Sequence, residues 1–140
     1  MSDGQAKIPP AYRRIVDGWG PPCPVERAKD RFTDLVASAE AGRPVLLCRD
    51  GREWAALLPV PAASVPQLTE MAGKDRAEVR VTGFSPALVG AWEPRDLPAA
   101  RRELPQLVRA AYRRRIAFVL WTDHDPRAII APVDVAPGPG

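Results

Sequence analysis

The sequence predicts an α+β chain made of two copies of one unit, each running strand, helix, helix, strand, strand. Two observations carry this. The chain repeats itself at a nearly constant interval of 72 to 73 residues. Within each copy the apolar spacing changes from a helical period to short β-type runs punctuated by turn residues.

The repeat rests on three segments that match in order. "AKDRFTDLV", Ala28 to Val36, lies over "ARRELPQLV", Ala100 to Val108, and both read alanine, a basic residue, a large apolar residue, then Leu-Val. Upstream, "IVDGWGP" from Ile15 matches "LVGAWEP" from Leu88, which pairs Trp19 with Trp92 and Pro21 with Pro94. Downstream, "VLLCRDGREWAALLPV" ending at Val60 matches "AFVLWTDHDPRAIIAPV" ending at Val133. The one-residue slips are expected in loops, before the helix and at the hairpin turn. The chain divides accordingly into an N-terminal arm (1–14), a first unit (15–60), a linker with a short helix (61–87), a second unit (88–133) and a disordered tail (134–140).

Each unit is expected to open with a short strand, at Ile15-Val16 and at Leu88-Val89. Helical regions follow over Val25–Ala41 and Leu97–Arg113, with Pro24 and Pro98 in the first turn, where a missing N–H costs little. Asp96 is the expected N-cap of the second region, and Gly42 the C-cap glycine of the first. Pro105 would cost about 3 kcal/mol inside a helix. It therefore marks a junction of two short helices placed just after Leu104, equivalent to a junction after Phe32 with Thr33 as cap. A hairpin closes each unit. The first turns at Asp50-Gly51, the second through Asp123, His124, Asp125 and Pro126. In the linker, "SVPQLTEMA" reads as a helix capped by Ser64 with Leu68 and Met71 inward, and "VRVTGF" as an additional strand.

The chain has 140 residues, 46% of them hydrophobic, which suits one compact domain or two small units with a shared core and excludes wholesale disorder. Its 17 prolines and 10 glycines imply short elements. The longest apolar run, Ile116 to Trp121, falls far short of the roughly 20 residues that span a bilayer. The N-terminus lacks the pattern of a secretion signal, so a cytoplasmic location and free thiols at Cys23 and Cys48 are expected. The net charge of +3 is uneven: Arg95, Arg101, Arg102, Arg109 and the run Arg113 to Arg115 all fall in the second half, a face that a polyanion would feel.

Glu26 to Val60 resembles the core of the Phd/YefM, or prevent-host-death, antitoxins. The resemblance is carried by Ala28-Lys29, Phe32-Thr33, Leu35-Val36, Gly42, Pro44-Val45, Arg49, Gly51-Arg52 and Ala55 to Leu58. The second copy keeps Ala100-Arg101, Leu104, Leu107-Val108 and the last strand, and lacks the Gly-Arg turn. The resemblance implies an α+β protein that dimerises through a shared antiparallel sheet, binds operator DNA as an autorepressor, and wraps a toxin with a separate C-terminal segment. Two tandem copies in one chain would then pair as an intramolecular pseudo-dimer, a DNA-binding regulator of antitoxin type. Operator DNA, a toxin protein and self-association are the implied partners, with no membrane and no cofactor. Little sequence follows Val133, so the toxin role would fall to the linker or be absent.

In that family the basic residue of the Ala-Arg motif touches DNA, which carries over to Lys29 and Arg101. Arg27, Arg31 and Arg102 flank them as phosphate contacts. The competing reading is that all five are ordinary solvated faces of amphipathic helices, leaving a protein-interaction module with the same fold and no DNA binding. Lys29 in place of arginine also lacks the fork for bidentate contacts. Arg113 to Arg115 read as a soluble loop, with a further phosphate contact as the alternative. Arg13, Arg14 and Tyr12 offer an arm that reaches a groove or does nothing.

Enzyme chemistry is not expected. His124 is the single histidine, in a turn beside Asp123 and Asp125. Three scattered Cys/His residues do not make a zinc site, and there is no phosphate-cradling glycine loop or nucleophile elbow. Trp19 and Trp92 are expected to anchor the core of each copy, and Cys48 to act as a small buried apolar residue.

Overall fold

A computed structural model of the chain describes residues 18–71, 81, 89–123 and 125–133. The described part of the first unit runs β1 (Cys23–Pro24), α1 (Val25–Asp30), α2 (Phe32–Glu40), β2 (Val45–Arg49) and β3 (Glu53–Leu58). A 3-10 turn (Ala62–Ser64) and α3 (Val65–Met71) follow. The second unit repeats the series as β4 (Ala91–Asp96), α4 (Leu97–Arg102), α5 (Leu104–Arg114), β5 (Ile116–Thr122) and β6 (Asp125–Ala131). The strands form a single mixed sheet in the order β1-β2-β3-β6-β5-β4.

The expected antiparallel sheet is corrected to a mixed one, antiparallel at its centre and parallel at its two ends. β1 pairs with β2 in parallel, and so does β4 with β5. The two helices between each pair of strands supply the long crossover that a parallel pair needs and a tight hairpin cannot give. The hairpins supply the antiparallel pairs. The opening strands also lie later than expected: β1 and β4 abut their helices, Val89 is buried outside any strand, and residues 15, 16 and 88 lie outside the described residues.

The register repeats with the sequence. Val45 faces Leu57 across β2–β3, and Phe118 faces Ile130 across β5–β6, each residue displaced by 73 positions. At the central seam Leu57 faces Ile130, flanked by Ala56 with Ala131 and Leu58 with Ile129. Exchanging every residue for its equivalent 73 positions away returns the same three pairs, so the seam reads alike from either half. The helices keep an offset of 72, and the slip falls between helix and strand. A bulge between Leu120 and Trp121 then absorbs the shorter second turn.

The helical junctions lie at Arg31 (φ −116°, ψ 22°) and Glu103 (φ −97°, ψ 10°), before Phe32 and Leu104 rather than after them, so the N-cap expected at Thr33 is corrected to Arg31, two residues earlier. Pro105 and Pro98 each fall within the first two positions of their helices, while Pro24 precedes α1 as its N-cap residue. Asp96 occupies the N-cap position of α4 with extended backbone. Gly42 ends α2 at φ +87°, with its N–H on the Ala39 carbonyl at 2.9 Å and that of Arg43 on the Ser38 carbonyl at 2.9 Å. These are the paired bonds of a Schellman cap, which needs a left-handed residue at this point. The equivalent end of α5 is closed by Arg115 at φ 56°.

Strand residues alternate between two covered faces, which is why the strands read as nearly continuous apolar runs. One face carries Leu47, Ala55, Leu57, Phe118, Leu120 and Ile130 beneath Val25, Phe32, Val36, Leu104, Leu107 and Val108 of the helical layer. The other presents Leu58, Val119, Trp121 and Ile129 to the buried Leu68 of α3, with Trp19 and Trp92 half-buried against it. The two tryptophans thus pack on the face away from the helices. Leu46, Cys48, Trp54 and Val133 form a smaller cluster. Cys48 is buried, and burial pushes its thiol pKa up.

The helices straddle the seam. α2 packs on both β3 and β6, and α5 lies across β3 and β2 of the first half as well as on β5 and β6. Arg127 of β6 forks onto Glu40 at the end of α2, with bonds of 2.7 and 2.6 Å. Of the linker, buried Ser64 ends the 3-10 turn just before α3, and Leu68 of α3 covers the second face; "VRVTGF", apart from buried Val81, lies outside the described residues. Residues 1–17, His124 and the tail are outside them as well.

Candidate nucleic-acid interface

The four helices of the two units cover one face of the sheet, so their exposed residues share the outward side of that layer. α1 presents Arg27, and Arg31 is exposed at the junction beyond it. Lys29 is half-buried on α1, while Arg101 and Arg102 are exposed in the last turn of α4. The structure brings the two carried-over residues of the Ala-basic motif together. Arg101 donates from Nε to the Lys29 carbonyl at 2.9 Å, across 72 residues of sequence, which is the interval of the repeat. Equivalent residues of the two halves therefore meet where the halves meet. Arg27 and Arg31 are exposed within two residues of Lys29, and exposed Arg102 follows Arg101.

Arg95, counted by sequence among the excess cations of the second half, is taken up internally. It bonds Glu93 at 3.0 Å and the Pro94 carbonyl at 2.8 Å, lies 3.5 Å from Glu103, and stacks 5.2 Å from the Phe118 ring centre. The soluble-loop reading of Arg113 to Arg115 is corrected in part: Arg113 and Arg114 complete the last turn of α5, and Arg115 is its cap.

Sequence reasoning missed a second basic cluster. Glu53 opens β3 on the helix-facing side and is only 4% exposed. Arg49 of β2 reaches its Oε1 at 2.6 Å, Arg113 of α5 donates from Nε to its Oε2, and Arg109 approaches the same oxygen at 3.8 Å. Burial alone would raise the pKa of this carboxyl. The hydrogen bonds from Arg113 and Arg49 outweigh burial and hold it below the usual carboxylate range. Arg52 and Asp50 complete the lining of a cavity of about 140 Å³ beside it. The legible signals were Arg109 and Arg113 one helical turn apart and a single acid at the head of an apolar strand. Their pairing across 60 residues was not legible.

Among the described residues no group of three or more His, Cys, Asp or Glu side chains converges as a metal site. No helix among them is long and apolar enough to cross a membrane. Comparisons with protein-family models, with curated proteins and with solved structures returned no match.

Proposed function

We propose that this chain is a DNA-binding regulator of the antitoxin type, in which two tandem Phd/YefM-like units pair within one chain as a pseudo-dimer. The observation that carries the reading is the meeting of Lys29 and Arg101, equivalent residues of the repeat, on the outward side of the helical layer. A seam whose register is unchanged by exchange of the halves supports the same view. A cationic centre flanked by Arg27, Arg31 and Arg102 offers phosphate contacts, and exposed guanidinium forks offer contacts to base edges. The toxin-binding part of the antitoxin role has less support. The described stretch of the linker commits Leu68 to the second face of the sheet, so it is not free to wrap a partner through that side chain.

The test is a mobility shift with a duplex from upstream of the protein's own coding sequence, titrated with salt. The reading expects binding at low salt that weakens steeply as salt rises, and its loss in the double variant Lys29→Ala with Arg101→Ala. If no duplex shifts at low salt, the protein-interaction module with the same fold takes its place.

A further inference from the structure

The repeat permits a position-by-position comparison of the outward helical faces, and the two differ in sign. Exposed Asp30 and Asp34 of the first half correspond, 72 residues on, to exposed Arg102 and Gln106, while Glu40, whose carboxylate is already held by Arg127, corresponds to exposed Tyr112. Over α1 and α2, residues 25–40, three cations stand against four anions; over α4 and α5, residues 97–114, five arginines stand against one glutamate. The positive side continues beyond the helices. Arg109 and Arg113 of α5 converge with Arg49 and Arg52 on the cavity at the β2–β3 turn, so that four arginines there face two acids. The Glu53 carboxylate is already occupied, Oε1 by Arg49 and Oε2 by Arg113 with Arg109 nearby. Asp50, 4.0 Å from Arg49, is the other acid, and two carboxylates do not balance four guanidiniums, each of which has five N–H donors.

Resting on the DNA reading above, we propose that the interface is one-sided. A duplex centred on Lys29 and Arg101 extends along α5 to the cavity at the β2–β3 turn and leaves the acidic face of α2 uncovered. At the cavity Arg52, Arg109 and Arg113 close on a backbone phosphate, and Glu53 is a positioning residue that holds Arg113 and Arg109 in place. α5, with 11 residues, is about 16 Å long, the span of roughly five base pairs. The sheet seam keeps its two-fold register, while the recognised DNA site is not palindromic and lies to one side of the pseudo-axis.

The experiment compares footprints and salt dependence for the wild type, for Arg52→Gln with Arg109→Gln, and for Asp30→Asn with Asp34→Asn, using the intact chain throughout. Both changed arginines are exposed, and a thermal melt of each variant confirms that it is folded. The proposal expects hydroxyl-radical protection that extends to one side only of the centre. It also expects about a tenfold loss of affinity at low salt for the arginine variant, with a log–log salt slope shallower by about 0.9. The aspartate variant should bind within about twofold of wild type. Symmetric protection, or an arginine variant that binds like wild type while Lys29→Ala with Arg101→Ala abolishes binding, overturns the one-sided interface and leaves the DNA reading intact. Absence of any duplex binding by the wild type overturns both.

Discussion

At the residue scale, Glu53 is the position where burial and charge conflict most sharply. A carboxylate 4% exposed would be costly if unpaired, and two direct hydrogen bonds from arginines make it tolerable. Its lowered pKa has a consequence for stability. A group whose folded pKa lies below its unfolded value stabilises the fold above the unfolded value, about 4.3 for glutamate, and that contribution disappears as pH falls through the folded value. Glu53→Gln should cost about 1–3 kcal/mol at neutral pH and show a flatter acid limb in a stability-versus-pH series by denaturant unfolding. Identical acid limbs for variant and wild type would mean that the carboxylate is not held as described. The pairing of this acid with those arginines was not legible beforehand. "REW" gives no hint that its glutamate faces a helix encoded 60 residues later, because ion pairs between distant segments leave no periodic trace.

At the element scale, Pro105 shows what local sequence does reveal. Proline inside a continuous helix is destabilising by about 3 kcal/mol, so its presence in an otherwise helical pattern demanded a break. The break is there, at Glu103, with Pro105 in the first turn of α5, where its absent N–H has no intrahelical partner to lose. Pro105→Ala should accordingly change stability by less than about 0.5 kcal/mol, whereas a gain near 3 kcal/mol on thermal unfolding would place the proline inside a continuous helix. The matching junction at Arg31 carries no proline, and there the repeat was the only guide. The first hairpin turn at Asp50-Gly51 and the Gly42 cap were legible because positive φ restricts the residue choice, whereas the second turn was read too long, since Asp125 and Pro126 already pair within β6. The opening strands were not. β1 is two residues long and contains Pro24, so its identity comes from pairing with β2, which no property of "CP" announces.

At the scale of the whole molecule, the repeat foretold more than any motif did. It anticipated the order of elements, the equivalent helix pairs and the place of each hairpin, because duplicated segments fold under the same local preferences. It did not show that the halves share one sheet, nor that parallel pairs flank the antiparallel centre, since strand partnership depends on tertiary packing. The alternation of Leu57 and Leu58 between the helical face and the α3 face is likewise visible only once the sheet has two covers. On the proposed reading, this architecture lets one chain perform what the resembled antitoxins perform as dimers. The divergence in charge between α2 and α5 is then available to a duplicated unit within one chain, because the two copies need not remain identical. The most direct test of that claim is the stoichiometry of the complex with its DNA site, measured by sedimentation or mass photometry at a salt concentration where binding holds. One chain per duplex is the predicted result; a complex that requires two or more chains, each supplying half of the contacts, would contradict it.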